Sequence, residues 1–324
     1  MTQVPHTQVL TRRGLGSDIE LVLVLKPSEV VPRSLLAELS AQIDDFEARF
    51  SRFLDVSELS HFNRMAGQKV AVSDEFRALL EAVIDMIEQT DGLYNPFILP
   101  ALQRAGYVHS MAVETRGEQL DDHRKKAVAD ARKLKLTDGY ATIPYGTAID
   151  FGGIGKGSLA DQLATYAEPY CSGFWLALGG DIACFGANER GESWQVAVQS
   201  ANDLGSDIAT MAMPKTRSAI ATSGTLKRQG TTDGMHWHHI IDPTTKRPVD
   251  TDVAMATVCA TSATDADVYA KMAILVGSKQ APDYLRDHGI SDALLQIGKQ
   301  APYSPICVGD AMLLMPTPRK KETT

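Results

Sequence analysis

Cysteine is scarce in this 324-residue chain, which contains four cysteines and no CxxC pair. Cys171, Cys184, Cys259 and Cys307 lie far apart among apolar or small residues. The chain length excludes a mini-protein held together by disulfides, and the cysteine spacing argues against a zinc site. We interpret the four residues as buried small hydrophobes of a protein in a reducing compartment.

Long hydrophobic runs and an excess of positive charge are also absent. No stretch of about 18 apolar residues occurs, so no membrane span is expected. The N-terminal run IELVLVL is bounded by Asp18 and Lys26 without the basic region of a signal peptide, which predicts a cytoplasmic protein. The net charge of -8 repels polyanions, so nucleic acid is not an expected partner, although a local basic pocket for a small phosphate ligand is allowed.

The sequence has the composition of an ordinary globular protein, because 44% hydrophobic and 22% charged residues supply a core and exclude disorder as the main state. Helical spacing of apolar residues predicts helices at 35–50, 76–87, 156–168 and 264–276. Short β-prone runs occur at 19–25, 142–150, 174–178, 194–199, 218–222, 236–241 and 255–260. Strands and helices do not alternate regularly, so we predict an α+β fold with antiparallel sheets and flanking helices. Residues 112–137 are charged without a strong apolar stripe and predict a surface excursion.

The densest chemical signal is the segment AIDFGGIGKGSLADQLA, residues 148–164. Its four glycines stand between a strand-like run and a helix, where backbone N–H groups can contact a phosphate. The pattern is neither GxxxxGK[ST] nor GxGxxG, so it does not match a standard nucleotide motif. A tight structural turn explains the glycines equally well.

Three further segments carry polar residues that suit a site. In LALGGDIACFG, Asp181 follows a glycine pair, which favours a turn residue over a ligand-positioning carboxylate. In HWHHIIDPTTKRPVD, strand alternation places His236 and His238 on one face and His239 on the other, which favours phosphate contact or hydrogen bonding over zinc. In TSATDADVYAKMAILVG, helical spacing favours an ion pair over a metal site.

Taken in order, six segments resemble the ApbE family, the FAD:protein FMN transferases. They are FSRFLDVSELSHFN, GLYNPFILPAL, DFGGIGKGSLAD, ALGGDIACFG, ATSG with HHIIDPTTKRP, and ADVYAK. The resemblance extends from about Gly14 to Gly277. It implies a single T-fold-like domain, which we place at residues 14–314, with an N-terminal extension at 1–13 and a polar tail at 315–324.

The resemblance implies that FAD is the substrate and that Mg²⁺ assists. A Thr or Ser hydroxyl of an acceptor flavoprotein would attack the FMN phosphorus, AMP would leave, and FMN would become covalently attached. Two alternatives stay open. One is a non-catalytic FAD-binding protein with a degenerate metal site, and the other is an FAD pyrophosphatase that gives FMN and AMP.

The resemblance also implies roles for individual residues. FAD contacts would fall on Leu15, Phe53, Leu93, Tyr94, Asn95, Gly153, Ser158 and Ile240. The catalytic residues would be His239, Lys156 and Asp242, and the metal ligands would be Gly155, Asp267 and Lys271. Lys271 stands where the family has a metal-binding Thr, and an ammonium has no lone pair with which to bind Mg²⁺. Asn95 replaces an Asp of the family pattern, and Lys246 replaces a Gly.

Overall fold

The computed structural model describes residues 6–27, 32, 34–108, 127–232 and 234–314. The α-helices within these ranges are Leu35–Phe50 (α1), Glu58–Arg64 (α2), Asp74–Gln89 (α3), Leu99–Ala105 (α4), Gly155–Ala167 (α5), Ala263–Val276 (α6) and Ala281–Asp287 (α7). The strands are Thr7–Gly14 (β1), Ser17–Leu25 (β2), Val70–Ala71 (β3), Lys135–Thr137 (β4), Tyr140–Thr142 (β5), Cys171–Leu178 (β6), Asp181–Gly186 (β7), Gln195–Gln199 (β8), Asp207–Ala212 (β9), Ser218–Gly224 (β10), Gln229–Thr232 (β11), Met235–His238 (β12), Ile241–Asp242 (β13), Arg247–Pro248 (β14), Val253–Ala260 (β15), Asp292–Ile297 (β16), Ser304–Val308 (β17) and Leu313–Leu314 (β18).

An eight-stranded sheet organises the part of the chain that the structure describes. Its strand order is β1-β2-β6-β7-β10-β15-β16-β17, and each neighbouring pair is antiparallel. Smaller sheets have the orders β18-β9-β8, β3-β5-β4, β11-β12 and β13-β14. The predicted α+β class with antiparallel sheets is therefore confirmed.

Both faces of the large sheet are buried because its strands alternate apolar residues toward two cores. On β10, Ala219 and Ala221 face a core that contains residues of α1 and α5, whereas Ile220 faces the opposite core. That second core includes Val196 and Val198 of β8. The period of two residues places successive side chains on opposite faces, so one strand serves both layers.

Helices α5 and α6 pack closely, and α6 also lies against β10 and β15. A Cβ placed on Gly157 of α5 would lie 2.5 Å from the carbonyl oxygen of Ala263. The Asp161 carboxylate on α5 accepts the N–H groups of Ala263 and Thr264 at 2.8 and 2.9 Å. The first turn of α6 is thus capped by a side chain of its neighbour, which satisfies N–H groups that have no partner within the helix.

The large sheet begins earlier than predicted. Residues 7–13, assigned above to an N-terminal extension, belong to β1, which pairs with β2 from Thr7↔Val24 to Gly14↔Ser17. The chain can extend the sheet here because the β2 edge offers free backbone groups to a preceding hairpin strand.

Two of the predicted strands differ in the structure. The run predicted at 142–150 stops at Thr142, since Pro144 lacks an N–H and Gly146 has a φ of +73°. The run predicted at 236–241 is divided, because β12 pairs with β11 whereas β13 pairs with β14.

The predicted surface excursion and the predicted burial of cysteine are partly wrong. Residues 109–126 lie outside the described ranges, but Val128, Ala131 and Leu134 are buried in a third apolar core, which also contains Phe76 and Leu79 of α3. Cys307 is exposed because β17 is an edge strand of the large sheet. Among the described residues, every helix is too short or too polar to span a lipid bilayer.

Gly157→Ala is expected to lower stability by roughly 1 to 3 kcal/mol, because the added methyl group forces α5 and α6 apart. Gly155→Ala is the matched control in the same helix, since its Cβ would lie 3.4 Å from Phe46 Cζ, an ordinary contact. Urea denaturation of both variants measures the free energy of unfolding. Equal stabilities would show that the two helices are not in tight contact at Gly157.

Candidate active site

Two adjoining cavities lie beside the glycine-rich segment that leads into α5. The large chamber has a volume of about 430 Å³, and the small chamber has a volume of about 290 Å³. Five residues line both chambers: Gly152, Lys156, Arg228, His239 and Lys271. We refer to these five as the junction. Three of them are cationic side chains, so the junction suits a negatively charged group.

Apolar and aromatic side chains form much of the wall of the large chamber. Seven predicted FAD contacts line it: Leu15, Phe53, Leu93, Tyr94, Asn95, Gly153 and Ile240. Phe53 is 39% exposed, whereas Tyr94 and Ile240 are buried. Such a wall suits a planar ring system, because apolar surface and aromatic faces both favour contact with flat rings. Ser158, the eighth predicted contact, lies on α5 and lines neither chamber.

Leu15 reaches the large chamber from the turn between β1 and β2. Its φ is +53° and that of Gly16 is +67°, so the turn has left-handed backbone at both central positions. A leucine in this conformation is strained, and the surrounding structure must hold it there. The Leu15 N–H donates to Glu47 Oε2 on α1 at 3.0 Å, which supplies one such restraint.

Arg52, which the sequence analysis did not single out, orders one side of the large chamber. Its Nε lies 3.4 Å from Asp150 Oδ1, and both side chains are largely buried. The guanidinium lies 4.2 Å from the ring centroid of Phe53 and 4.6 Å from that of Tyr107. Both terminal nitrogens donate to the Tyr107 carbonyl at 3.2 Å. The signal available in the sequence was the position of Arg52 within the FSRF segment.

The glycines of the DFGGIGKG segment divide between the two roles that the sequence left open. Gly153 lines the large chamber, and a Cβ there would lie 3.2 Å from Tyr94 Cε2 and 3.6 Å from Lys271 Cδ. Its missing side chain therefore lets two residues of the chamber approach the backbone. Gly155 also lines the large chamber, whereas Gly157 serves helix packing.

Lys156 holds its ammonium at the junction. Its Nζ donates to Ser17 Oγ at 2.7 Å, and a Cβ on Gly179 would lie 3.7 Å from that nitrogen. Burial lowers the pKa of Lys156, because the protein interior disfavours the charged form, while the charge of Asp181 opposes the shift. An anion at the junction would stabilise this poorly solvated ammonium.

The small chamber contains two carboxylates, Asp181 and Asp267. Burial raises the pKa of Asp181 to about 6, and the neighbouring charge of Asp267 acts in the same direction. Lys156, Lys271 and Arg228 oppose that shift. Asp181 is therefore more than the turn residue that the sequence favoured, since its carboxyl faces the charged groups of the junction.

His239 faces both chambers with one ring nitrogen that lacks a protein partner. The backbone N–H of His239 donates to the Arg228 carbonyl at 3.0 Å, whereas the ring Nδ1 is buried with no hydrogen bond in the described part of the chain. Burial lowers the pKa of His239 well below its usual value, and the charges of Arg228 and Lys271 add to the shift. The lowered pKa favours the neutral form of the imidazole. The buried hydroxyl of Tyr94 likewise finds no partner within the described ranges.

Three other predicted residues are occupied by structural hydrogen bonds. His238 Nε2 lies 3.1 Å from the Val249 carbonyl. Asp242 lines neither chamber, and its carboxylate accepts the Thr244 N–H at 2.8 Å in the turn before β14. Asn95 lines the large chamber, but its side chain bonds the Phe97 N–H and the Ala129 carbonyl at 2.9 and 3.0 Å. These bonds shape the loops around the chambers.

The residues predicted to hold Mg²⁺ do not fit that ion. The Lys271 ammonium forms an ion pair with the Asp267 carboxylate, and the side chains are 16% and 4% exposed. A cation already neutralises the one carboxylate of the set, and the described residues include no cluster of three His, Cys, Asp or Glu side chains that could hold a metal. Mg²⁺ requires oxygen ligands in near-octahedral geometry, which this set does not supply.

The fold and the two chambers suit a phosphate-bearing ligand that lies next to an apolar ring site. A model of the ApbE family matches residues 15–295. The match covers most of the chain, so this protein belongs to the ApbE family. The resemblance found in the six sequence segments is therefore confirmed.

Individual relatives agree with this assignment. A protein of Treponema pallidum (strain Nichols) named FAD:protein FMN transferase is 29% identical over 280 residues, which cover 80% of this chain and 76% of the relative. A Vibrio cholerae protein of the same name is 24% identical over 281 residues, which cover 85% and 84%. The solved structure of the flavin transferase ApbE from Vibrio cholerae is 21% identical with a TM-score of 0.77, and it covers 94% of this chain and 97% of its own. The apo Pseudomonas stutzeri flavinyl transferase ApbE is 18% identical with a TM-score of 0.79, and it covers 94% and 95%.

Asp181→Asn is expected to change how stability depends on pH. The raised pKa means that the folded protein holds this proton more tightly than the unfolded chain, so the contribution is full below about pH 4 and is lost as the pH rises through about 6. Relative to the parent, the free energy of unfolding of the variant should rise by roughly 1 to 3 kcal/mol between about pH 4 and pH 7. Urea denaturation across this range measures the difference.

The control for this experiment is Asp18→Asn, because the Asp18 side chain is 84% exposed. That variant should follow the parent at every pH. If the stability of Asp181→Asn also follows that of the parent at every pH, the pKa of the Asp181 carboxyl is not raised in the folded protein.

Proposed function

We propose that this protein transfers FMN from FAD to a Thr or Ser hydroxyl of an acceptor flavoprotein and releases AMP. The single observation that supports this best is the arrangement of the two chambers. An apolar chamber for ring systems adjoins a polar chamber through a junction that carries three cationic side chains. A dinucleotide needs this arrangement, because it carries its two phosphates between ring-bearing groups.

In this proposal the cations of the junction bind and orient the diphosphate. Lys156, Arg228 and the N-terminus of α5 neutralise charge on the phosphate oxygens, and the walls of the large chamber bind the rings. Displacement at phosphorus gains mainly from such positioning and charge neutralisation. Removal of Lys156 would leave developing charge without its buried counter-ion.

His239 is the general base in this proposal. The acceptor oxygen forms a bond to the FMN phosphorus, the bond from that phosphorus to the AMP oxygen breaks, and the hydroxyl proton passes to the imidazole. The buried Nδ1, which has no partner among the described residues, supports the assignment, because it leaves a ring nitrogen available to accept the proton. Asp242 acts as a positioning residue, since it braces the turn that follows His239 in the chain.

The name of the Treponema pallidum relative, FAD:protein FMN transferase, supports the same reaction. We place the reaction in the cytoplasm, because the four cysteines are free and free thiols are typical of reducing compartments. One observation favours the FAD-binding alternative: the Asp267 carboxylate is paired with Lys271. A site without a divalent cation would hold FAD with slower turnover.

His239→Asn is expected to lower the transfer rate about 10²- to 10⁴-fold, because the variant lacks the proton acceptor, while FAD affinity changes little. The assay incubates the protein with FAD and an acceptor flavoprotein and measures covalent flavin by in-gel fluorescence after denaturation. The matched control is His236→Asn, because His236 is exposed and its ring contacts the Gly230 carbonyl outside the chambers.

The same assay separates the alternatives. AMP release without an acceptor identifies a pyrophosphatase, and FAD binding without AMP release identifies a binding protein. Either result contradicts the transferase proposal, and an unchanged transfer rate in His239→Asn contradicts the assigned role of the histidine.

A further inference from the structure

We propose that this protein binds the diphosphate of its nucleotide ligand without a divalent cation, and that the Lys271 ammonium replaces the metal. The inference rests on the proposed function, since it concerns the same ligand. Two of the positions predicted to bind Mg²⁺ instead hold the ion pair of Lys271 with Asp267.

The Lys271 side chain is held at the junction by a packing contact and by its ion pair with Asp267. Its stem lies against the glycine-rich segment, because a Cβ on Gly153 would be 3.6 Å from Lys271 Cδ and 3.8 Å from its Cε. Its side chain is 16% exposed and lines both chambers. The ammonium therefore faces the cavity where a diphosphate would lie, rather than bulk solvent.

The ammonium also has hydrogen-bonding capacity left for a ligand. An ammonium donates three hydrogen bonds. Within the described residues, the Lys271 ammonium has two acceptors, the Asp267 side chain and the Asp267 carbonyl, the latter at 3.2 Å. The third N–H can bond a phosphate oxygen, so Lys271 can bridge the Asp267 carboxylate and the phosphate as a metal ion would.

The ion pair also determines whether the charges of the small chamber attract or repel an anion. Asp267 is 4% exposed, and an unpaired carboxylate at that depth would repel phosphate strongly. Lys271 neutralises this carboxylate. The other charged side chains that line the small chamber are three cations, Lys156, Lys227 and Arg228, and one carboxylate, Asp181. The balance of charge at the junction therefore favours an anion without further cations.

A divalent ion would have to displace this arrangement. It would need the Asp267 carboxylate as a ligand, yet the ammonium bound there would repel it. Binding of Mg²⁺ next to Lys271 is thus unfavourable, and binding of the ligand with the ammonium is expected instead.

The test compares FAD binding in EDTA with FAD binding in millimolar Mg²⁺, measured by quenching of flavin fluorescence. For the parent, the two dissociation constants should agree within about 2-fold. Lys271→Thr should weaken binding in EDTA by about 10-fold or more, because it removes a charge-assisted hydrogen bond, and Mg²⁺ should restore binding. Lys279→Met is the control, since this exposed lysine follows α6 outside both chambers, and it should bind as the parent does.

Binding of FAD by the parent only with Mg²⁺ would overturn the inference whatever the variants do, so the test does not depend on Lys271→Thr folding. ADP serves as a second probe because it carries a diphosphate without a flavin. One outcome is that the parent binds ADP without magnesium but does not bind FAD, and that Lys271→Thr loses ADP binding. This outcome would contradict the proposed flavin function and support the role of Lys271. Binding of neither probe under either condition would overturn both.

Discussion

The contact between α5 and α6 is the constraint on which the rest of the site depends. The Asp161 carboxylate on α5 bonds the first N–H groups of α6, and the missing side chain of Gly157 lets the two backbones meet. Helix α5 begins with Lys156 in its first turn, and α6 carries Asp267 and Lys271. The two helices thus bring opposite sides of the junction together, and a small change in their separation would change the distances among its charges.

Burial of the junction then determines the pKa values of its titratable groups. The same lack of solvent raises the pKa of Asp181 and lowers the pKa values of Lys156 and His239, because each group loses stability in its charged form. Opposite shifts in one cavity are typical of functional sites. A phosphate-bearing ligand would stabilise the charged forms of the cations, whereas it would favour the protonated form of Asp181.

The sequence predicted the long helices well because their apolar residues repeat at helical spacing over several turns. It predicted the strand 142–150 poorly, because Pro144 and Gly146 interrupt a run that is otherwise β-prone. It did not indicate the role of Asn63, which exchanges two hydrogen bonds with the backbone of Ile149 at 2.8 and 2.9 Å and so fixes the chain just before the glycine segment. Arg52 was missed for the same reason, since the importance of each residue lies in a partner distant in sequence.

The sequence by itself determined the family, the α+β class and eleven of the residues that line the large chamber, because ordered motifs and local periodicity carry that information along the chain. Tertiary structure alone decided which of these residues meet. It separated Asp242 and Ser158 from the chambers and brought Asp181 and Arg228 into them. It also showed that Lys271 faces the junction, because that depends on the rotation of α6 against α5 and on burial, which spacing along one helix cannot express.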